Sequence, residues 1–149
     1  MDKLNVSWRT VSTLCRRLCK DIKDRLPDYR EYNFVALSKG GLVPGTIICN
    51  HLNIDKLYAL GMKSYVDERK GEVDIYQVPL FESMEKILII DDISDSGDSF
   101  NHTIKMLGDL KKVATAALYV KQDTAHTPVF SGIVNIEKMK WISFPWENI

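Results

Sequence analysis

Lys86-Ile87-Leu88-Ile89-Ile90-Asp91-Asp92-Ile93-Ser94-Asp95-Ser96-Gly97-Asp98-Ser99 is the stretch that decides the fold. Its four apolar residues lack polar alternation, as expected of a strand covered on both faces. They deliver two adjacent carboxylates to the strand end. Asp91 to Asp98 reads as a small polar turn with one glycine, and Phe100, Ile104, Leu107 and Leu110 then mark a helix by their 3–4 spacing. The order is strand, turn, helix.

Upstream the same order occurs once more. Phe34-Val35-Ala36-Leu37 reads as a strand, Ser38-Lys39-Gly40-Gly41 as a glycine turn, and Pro44 opens a helical stretch through Ile47, Ile48 and Leu52. Before it, Ser7 is placed to cap a helix with apolar positions Val11, Leu14, Cys15, Leu18, Cys19, Ile22 and Leu26, stopped by Pro27. Further strands are expected at Leu57 to Leu60, Val113 to Val120, Gly132 to Ile136 and Trp141 to Phe144. Asp67 to Glu72 is too charged to pack and reads as a mobile loop or hairpin tip. Alternating strands and helices predict an α/β fold with a mostly parallel sheet, whose ligands sit beyond the carboxyl ends of the strands.

The chain has 149 residues, 45% hydrophobic and 27% charged, which suits one domain spanning residues 1–149. Twenty Lys and Arg balance twenty Asp and Glu, so no global field draws it to nucleic acid or to anionic lipid. The longest apolar runs fall well short of the roughly 18–20 residues a membrane span needs. The N-terminal residues lack the features of a signal peptide, so a cytoplasmic location is expected. Three cysteines cannot all pair within one chain. Cys15 and Cys19 lie on the apolar helix face, without the second Cys or His pair of a metal site, and are expected to be buried thiols.

A helix N-terminus with free N–H groups is a ready anion site, and Ser96 and Ser99 add hydroxyls. Adjacent carboxylates before it accept hydrogen bonds from vicinal hydroxyls or hold a hydrated divalent cation. Phosphate on one side and diol on the other describe a sugar phosphate. The two glycines after the earlier strand likewise let the backbone approach an anion closely.

This segment resembles the phosphoribosyl diphosphate (PRPP) loop of type I phosphoribosyltransferases: four apolar residues, two acids, two variable residues, Asp-Thr-Gly, one variable residue and Thr. Ser96 and Ser99 replace the two threonines and keep both hydroxyls. Ser38 to Gly45, Val6-Ser7-Trp8 and Trp141 to Glu147 are similar to the bacterial xanthine-guanine branch, so the likeness covers nearly the whole chain. Lys39 stands where that branch has Arg and Asp98 where Gly or Lys is usual, and the chain ends at Ile149 without a longer tail.

The resemblance implies the type I phosphoribosyltransferase fold, a mostly parallel central sheet flanked by helices with a small hood formed by the termini. It implies transfer of phosphoribosyl from PRPP to N9 of a 6-oxopurine, with release of pyrophosphate, in purine salvage. It further implies a magnesium requirement and a homodimer or homotetramer. By the same resemblance Asp91 and Asp92 hold the ribose hydroxyls, with Asp92 also on the metal. Asp95 faces N7 of the base as candidate general base, and Asp95, Ser96, Gly97, Asp98 and Ser99 wrap the 5′-phosphate. A carboxylate beside a phosphate repels it, so Asp98 is expected to turn away. Lys39 and Gly40 meet the pyrophosphate, and Arg69 with Lys70 forms a lid over it. Lys121 donates to O6 of the purine, Trp141 stacks on the base, and the backbone of Ile142 reads its 2-position. Trp146 is expected to pack, and His51, His102 and His126 to be structural or exposed.

Two rivals have sequence signatures of their own. A PRPP- or nucleotide-sensing regulator that kept the fold without catalysis would add a basic domain or lose the base pocket, and here Lys121 and Trp141 are present. A phosphoacceptor receiver domain places its acid pair near the N-terminus, not at position 91.

Overall fold

The structure is a computed structural model that describes residues 2–65, 68, 69 and 72–147. Strands are β1 (Lys3–Asn5), β2 (Asn33–Ser38), β3 (Leu57–Ser64), β4 (Val73–Gln77), β5 (Lys86–Ser94), β6 (Lys112–Lys121), β7 (Phe130–Ile136) and β8 (Trp141–Ser143). The α-helices are α1 (Trp8–Arg25), α2 (Leu42–Leu52) and α3 (Asp98–Leu107). Six strands form one sheet in the order β4-β3-β2-β5-β6-β7, parallel except for β4. β1 and β8 pair in parallel as a separate two-stranded sheet that brings the termini together, the small hood that the resemblance implied.

Sheet topology fixes where a ligand can sit. From the centre, β2 runs outward through α2 to β3, while β5 runs the other way through α3 to β6. The strand order therefore reverses between β2 and β5, and at such a switch point the connections diverge and leave a crevice beyond the carboxyl ends. Both glycine turns of the sequence lie there.

Alternation along the strands sends side chains to two cores. Phe34, Leu88, Ile90 and Ala116 face α1 and α2, whose buried residues include Cys15, Cys19, Ile48 and Cys49. Val35, Leu37, Ile87, Ile89 and Ala117 face Phe100 and Leu107 of α3. All three cysteines are buried and free, and desolvation pushes the thiols of Cys15 and Cys49 up to about 12, so they are inert packing groups. Ser7 caps α1, its hydroxyl accepting from the Thr10 N–H at 3.1 Å.

Several boundaries differ from the sequence reading. β5 continues through Asp91 and Asp92 to Ser94, because its backbone stays paired with β6 up to the Ser94–Val120 match. The acids are therefore strand residues, and the turn shrinks to Asp95–Gly97. α2 begins at Leu42, before Pro44, which is tolerated because the first helical turn leaves N–H groups unpaired anyway. α3 stops at Leu107 with Gly108 as its cap, so Leu110 is a fully exposed loop residue. β3 runs on to Ser64 and β4 pairs back antiparallel to it as an edge strand whose last four residues are exposed, Ile75 and Tyr76 among them. β3 and β4 pair antiparallel on either side of the charged segment, of which Asp67, Lys70 and Gly71 lie outside the described residues.

No helix among the described residues is long and apolar enough to cross a membrane.

Candidate functional site

At the switch point the two glycine turns touch. A Cβ on Gly40 would collide with the Asp92 carboxylate, and one on Gly41 with the Ile90 carbonyl, so only glycines let the β2 turn lie across the end of β5. The Ser38–Lys39 peptide in that turn is cis. Lys39 is exposed, and its carbonyl accepts from the Leu42 N–H at 3.0 Å.

Beside this contact lies a cleft of about 550 Å³. Asp91, Ile93 and the whole Ser94–Phe100 segment make one wall, and Ser64, Tyr65, Glu72 and Val73 of the β3–β4 hairpin the other. The hairpin wall is a part of the site that sequence reasoning missed. Its only signal there was the charged tip. Gly97 adopts φ 89°, a left-handed conformation that favours glycine, and this turns the chain sharply into α3. Ser96 Oγ accepts from the Asp98 N–H at 3.1 Å and so closes the turn. Asp95, Ser96 and Asp98 are exposed, and Asp98 is part of the cleft wall at the first residue of α3.

The acid pair is electrostatically loaded. The Asp92 N–H donates to Asp91 Oδ1 at 2.8 Å. Desolvation pushes the Asp91 carboxyl well above the ordinary range, and the neighbouring Asp92 charge pushes it further. Desolvation raises Asp92 as well, and the Glu147 carboxylate adds to it. Glu147 arrives from the C-terminal segment, held there by its side chain accepting from the Phe144 N–H at 3.2 Å. Among the described residues neither aspartate forms an ion pair with a lysine or arginine. Two carboxyls that repel each other at the mouth of a cleft can accept hydroxyl donors or a cation.

β6 brings Lys121 alongside. Val120 is in register with Ser94, so Lys121 stands one residue beyond the end of β5. The side chain is buried, and Nζ donates to the Lys138 carbonyl at 2.9 Å and to the Lys140 carbonyl at 2.5 Å. An ammonium has three donors, so one is left for a ligand. Trp141 is 54% exposed although it begins a strand, and its ring is free to cover a flat partner. The Trp141 N–H bonds the Asp2 carbonyl, and the Ser143 carbonyl accepts from Val6. Strand alternation therefore turns the N–H and C=O of Ile142 away from β1 while its side chain is buried. Lys121, Trp141 and Ile142 lie outside the lining of the main cleft.

The remaining candidates divide. Arg69 stacks over the Tyr65 ring at 3.7 Å, at the hairpin tip rather than in the cleft lining. Lys70 lies outside the described residues. Trp146 stacks on Phe144 with centroids 4.6 Å apart, a packing contact. His51 is exposed. His126 is structural, stacked on Phe100 at 5.0 Å with Nε2 2.9 Å from Thr115 Oγ1.

A family model described as the phosphoribosyl transferase domain matches residues 7–148. The chain belongs to the phosphoribosyltransferase domain family, and its fold is the type I phosphoribosyltransferase fold. Among curated proteins it is similar to the xanthine-guanine phosphoribosyltransferase of Vibrio atlanticus (strain LGP32), 28% identical over 147 residues that cover 99% of this chain and 90% of that protein. Among solved structures it is similar to a purine phosphoribosyltransferase from Pyrococcus horikoshii Ot3, at TM-score 0.81 and 25% identity, covering 100% of this chain and 96% of that one. The Helicobacter pylori xanthine-guanine-hypoxanthine phosphoribosyltransferase shares the fold at TM-score 0.81 and 21% identity, over 98% of this chain and 93% of that one.

Proposed function

We propose that this chain transfers the phosphoribosyl group of PRPP to N9 of a 6-oxopurine base, with release of pyrophosphate, as a purine salvage transferase. The observation that carries the reading is the switch-point geometry, in which the acid pair, the Gly97 turn and the Lys39–Gly40 turn meet at one end of the sheet. Similarity to the Vibrio atlanticus and Pyrococcus horikoshii proteins supports a purine as acceptor.

In this reading Asp91 and Asp92 accept the ribose 2′- and 3′-hydroxyls, whose donors replace the repulsion between the two carboxyls. Ser96, Gly97, Asp98, Ser99 and the Asp95 backbone wrap the 5′-phosphate with N–H and hydroxyl groups at the α3 N-terminus. Lys39 and Gly40 take the pyrophosphate, with Arg69 reaching it from the hairpin. Lys121 donates its third N–H to O6, Trp141 covers the base, and Ile142 offers backbone groups to its edge. The Asp95 carboxylate holds the N7 proton as the base N9 approaches C1, and the acid pair stabilises positive charge developing on the ribose ring.

The donor set fits magnesium. Adjacent carboxylates without a cationic side-chain partner suit a hard cation that takes one or two protein oxygens and completes its shell with water and phosphate. Asp92 would hold it, and when bound it neutralises charge on the leaving pyrophosphate.

The test is incubation with PRPP, magnesium and a 6-oxopurine, followed by chromatography for nucleotide and pyrophosphate. Equimolar products are expected; PRPP bound but no nucleotide formed would favour the sensing alternative. Asp95→Ala should lower kcat by roughly 100-fold to 10,000-fold with little change in PRPP binding.

A further inference from the structure

The segment between β6 and β7 lies against the phosphate turn and is bonded to it through Thr124, Ala125 and His126. Ser94, the last residue of β5, is 1% exposed, and its hydroxyl donates to the His126 carbonyl at 2.6 Å. Ser94 Oγ is also 3.0 Å from Thr124 Oγ1, and the Thr124 hydroxyl donates to the same His126 carbonyl at 3.2 Å, so the two hydroxyls and that carbonyl form one cluster. The Ala125 N–H donates to the Ser96 carbonyl at 2.7 Å, and Asn101 Nδ2 of α3 to the Ala125 carbonyl at 3.2 Å. Gly97 packs against the His126 backbone so closely that a Cβ would collide. The His126 ring lies on Phe100, and its Nε2 reaches Thr115 Oγ1, which also accepts from the Val129 N–H at 3.2 Å.

These contacts bind one turn to another, and none of them takes up an N–H of Asp95, Ser96 or Gly97. A phosphate-binding turn must hold several N–H dipoles converged on one point, and if it samples other shapes when empty, the ordering cost is subtracted from affinity. We propose that Thr124 and His126 are positioning residues that hold Ser94–Gly97 in its phosphate-accepting shape before substrate arrives. They act from behind the turn and touch no substrate atom. Lys121 is only three residues before Thr124, so one connection supplies both the base donor and the brace.

The inference rests on the phosphate reading of that turn, and the experiment separates the two. Calorimetry with ribose 5-phosphate and steady-state kinetics are run on the intact chain and on Thr124→Val, Thr124→Ser and Asn101→Ala. Thr124→Val should weaken ribose 5-phosphate binding and raise the PRPP KM by about threefold to tenfold, leaving kcat and the KM for the base within about twofold. Thr124→Ser, which keeps the hydroxyl, should restore the native values. A purely structural role would instead lower kcat and the folded fraction at constant PRPP KM, and that result overturns the proposal. If Thr124→Val fails to fold, Asn101→Ala removes an exposed strap and should still raise the PRPP KM by about twofold. An unchanged KM there overturns the brace alone, whereas native protein that binds no sugar phosphate and makes no nucleotide overturns the phosphate reading with it.

Discussion

β5 and β6 lie side by side, and each delivers ionisable side chains to the same end of the sheet, half-buried on β5 and buried on β6, yet the two are held in opposite ways. On β6 the Lys121 ammonium has two backbone carbonyls as partners. On β5 Asp91 and Asp92 have mainly each other; desolvation raises both carboxyls, and the neighbouring Asp92 charge adds to Asp91 and the Glu147 charge to Asp92. A satisfied buried charge supports the fold and presets a donor. An acid pair without a cationic partner costs stability, which a ligand that completed it would offset.

The comparison is broken most directly at Lys121. Lys121→Met leaves the Lys138 and Lys140 carbonyls without their donor and should cost about 2–4 kcal/mol in urea unfolding. Under the proposed function, the same variant should also discriminate less between 6-oxopurines and adenine than the native chain. If stability is unchanged, the two hydrogen bonds are not a support.

Asp91→Asn should do the reverse. A carboxyl whose pKa is raised in the folded state contributes stability below its unfolded value, and that contribution is lost as pH rises through the folded value. Removing the charge should therefore raise the Tm of the ligand-free protein by a few degrees at pH 8, with the gain shrinking toward pH 4. Binding of PRPP should fall sharply in the same variant. A lower Tm at pH 8 would mean the pair is not strained.

The smallest effect concerns His126, whose imidazole is held below its ordinary value by burial. Such a group stabilises the fold above its unfolded value, and the contribution is lost as pH falls through the folded value. Thermal melts of the native chain should weaken on acidification from pH 7 to 5, and His126→Gln should flatten part of that slope. An identical slope in both proteins would remove His126 from the account.

Much of this was legible in the sequence because it is local. The run Ile87–Ile90 followed by two acids, the hydroxyl-glycine turn and the glycines after Leu37 each carry their chemistry within a few residues. What could not be read depends on distant backbone. Lys121 meets carbonyls 17 and 19 residues away, and a carbonyl has no sequence identity. Thr124 and His126 brace a turn some 30 residues earlier through a carbonyl and a hydroxyl. β4 is a five-residue edge strand exposed along most of its length, and β1 has only three residues. Glu147 reads as an ordinary terminal acid until β8 and the Phe144–Glu147 turn bring it to Asp92.

The central claim is that a preset Lys121 donor reads the base while the acid pair and phosphate turn hold PRPP. It is tested most directly by comparing kcat/KM for guanine and adenine at saturating PRPP and magnesium. Lys121 Nζ has donors and no acceptor, so it suits the O6 carbonyl and opposes the adenine amino group. The account predicts that guanine is used and adenine rejected by up to roughly 10,000-fold, because adenine leaves a buried donor unpaired. Equal turnover of the two bases would contradict it.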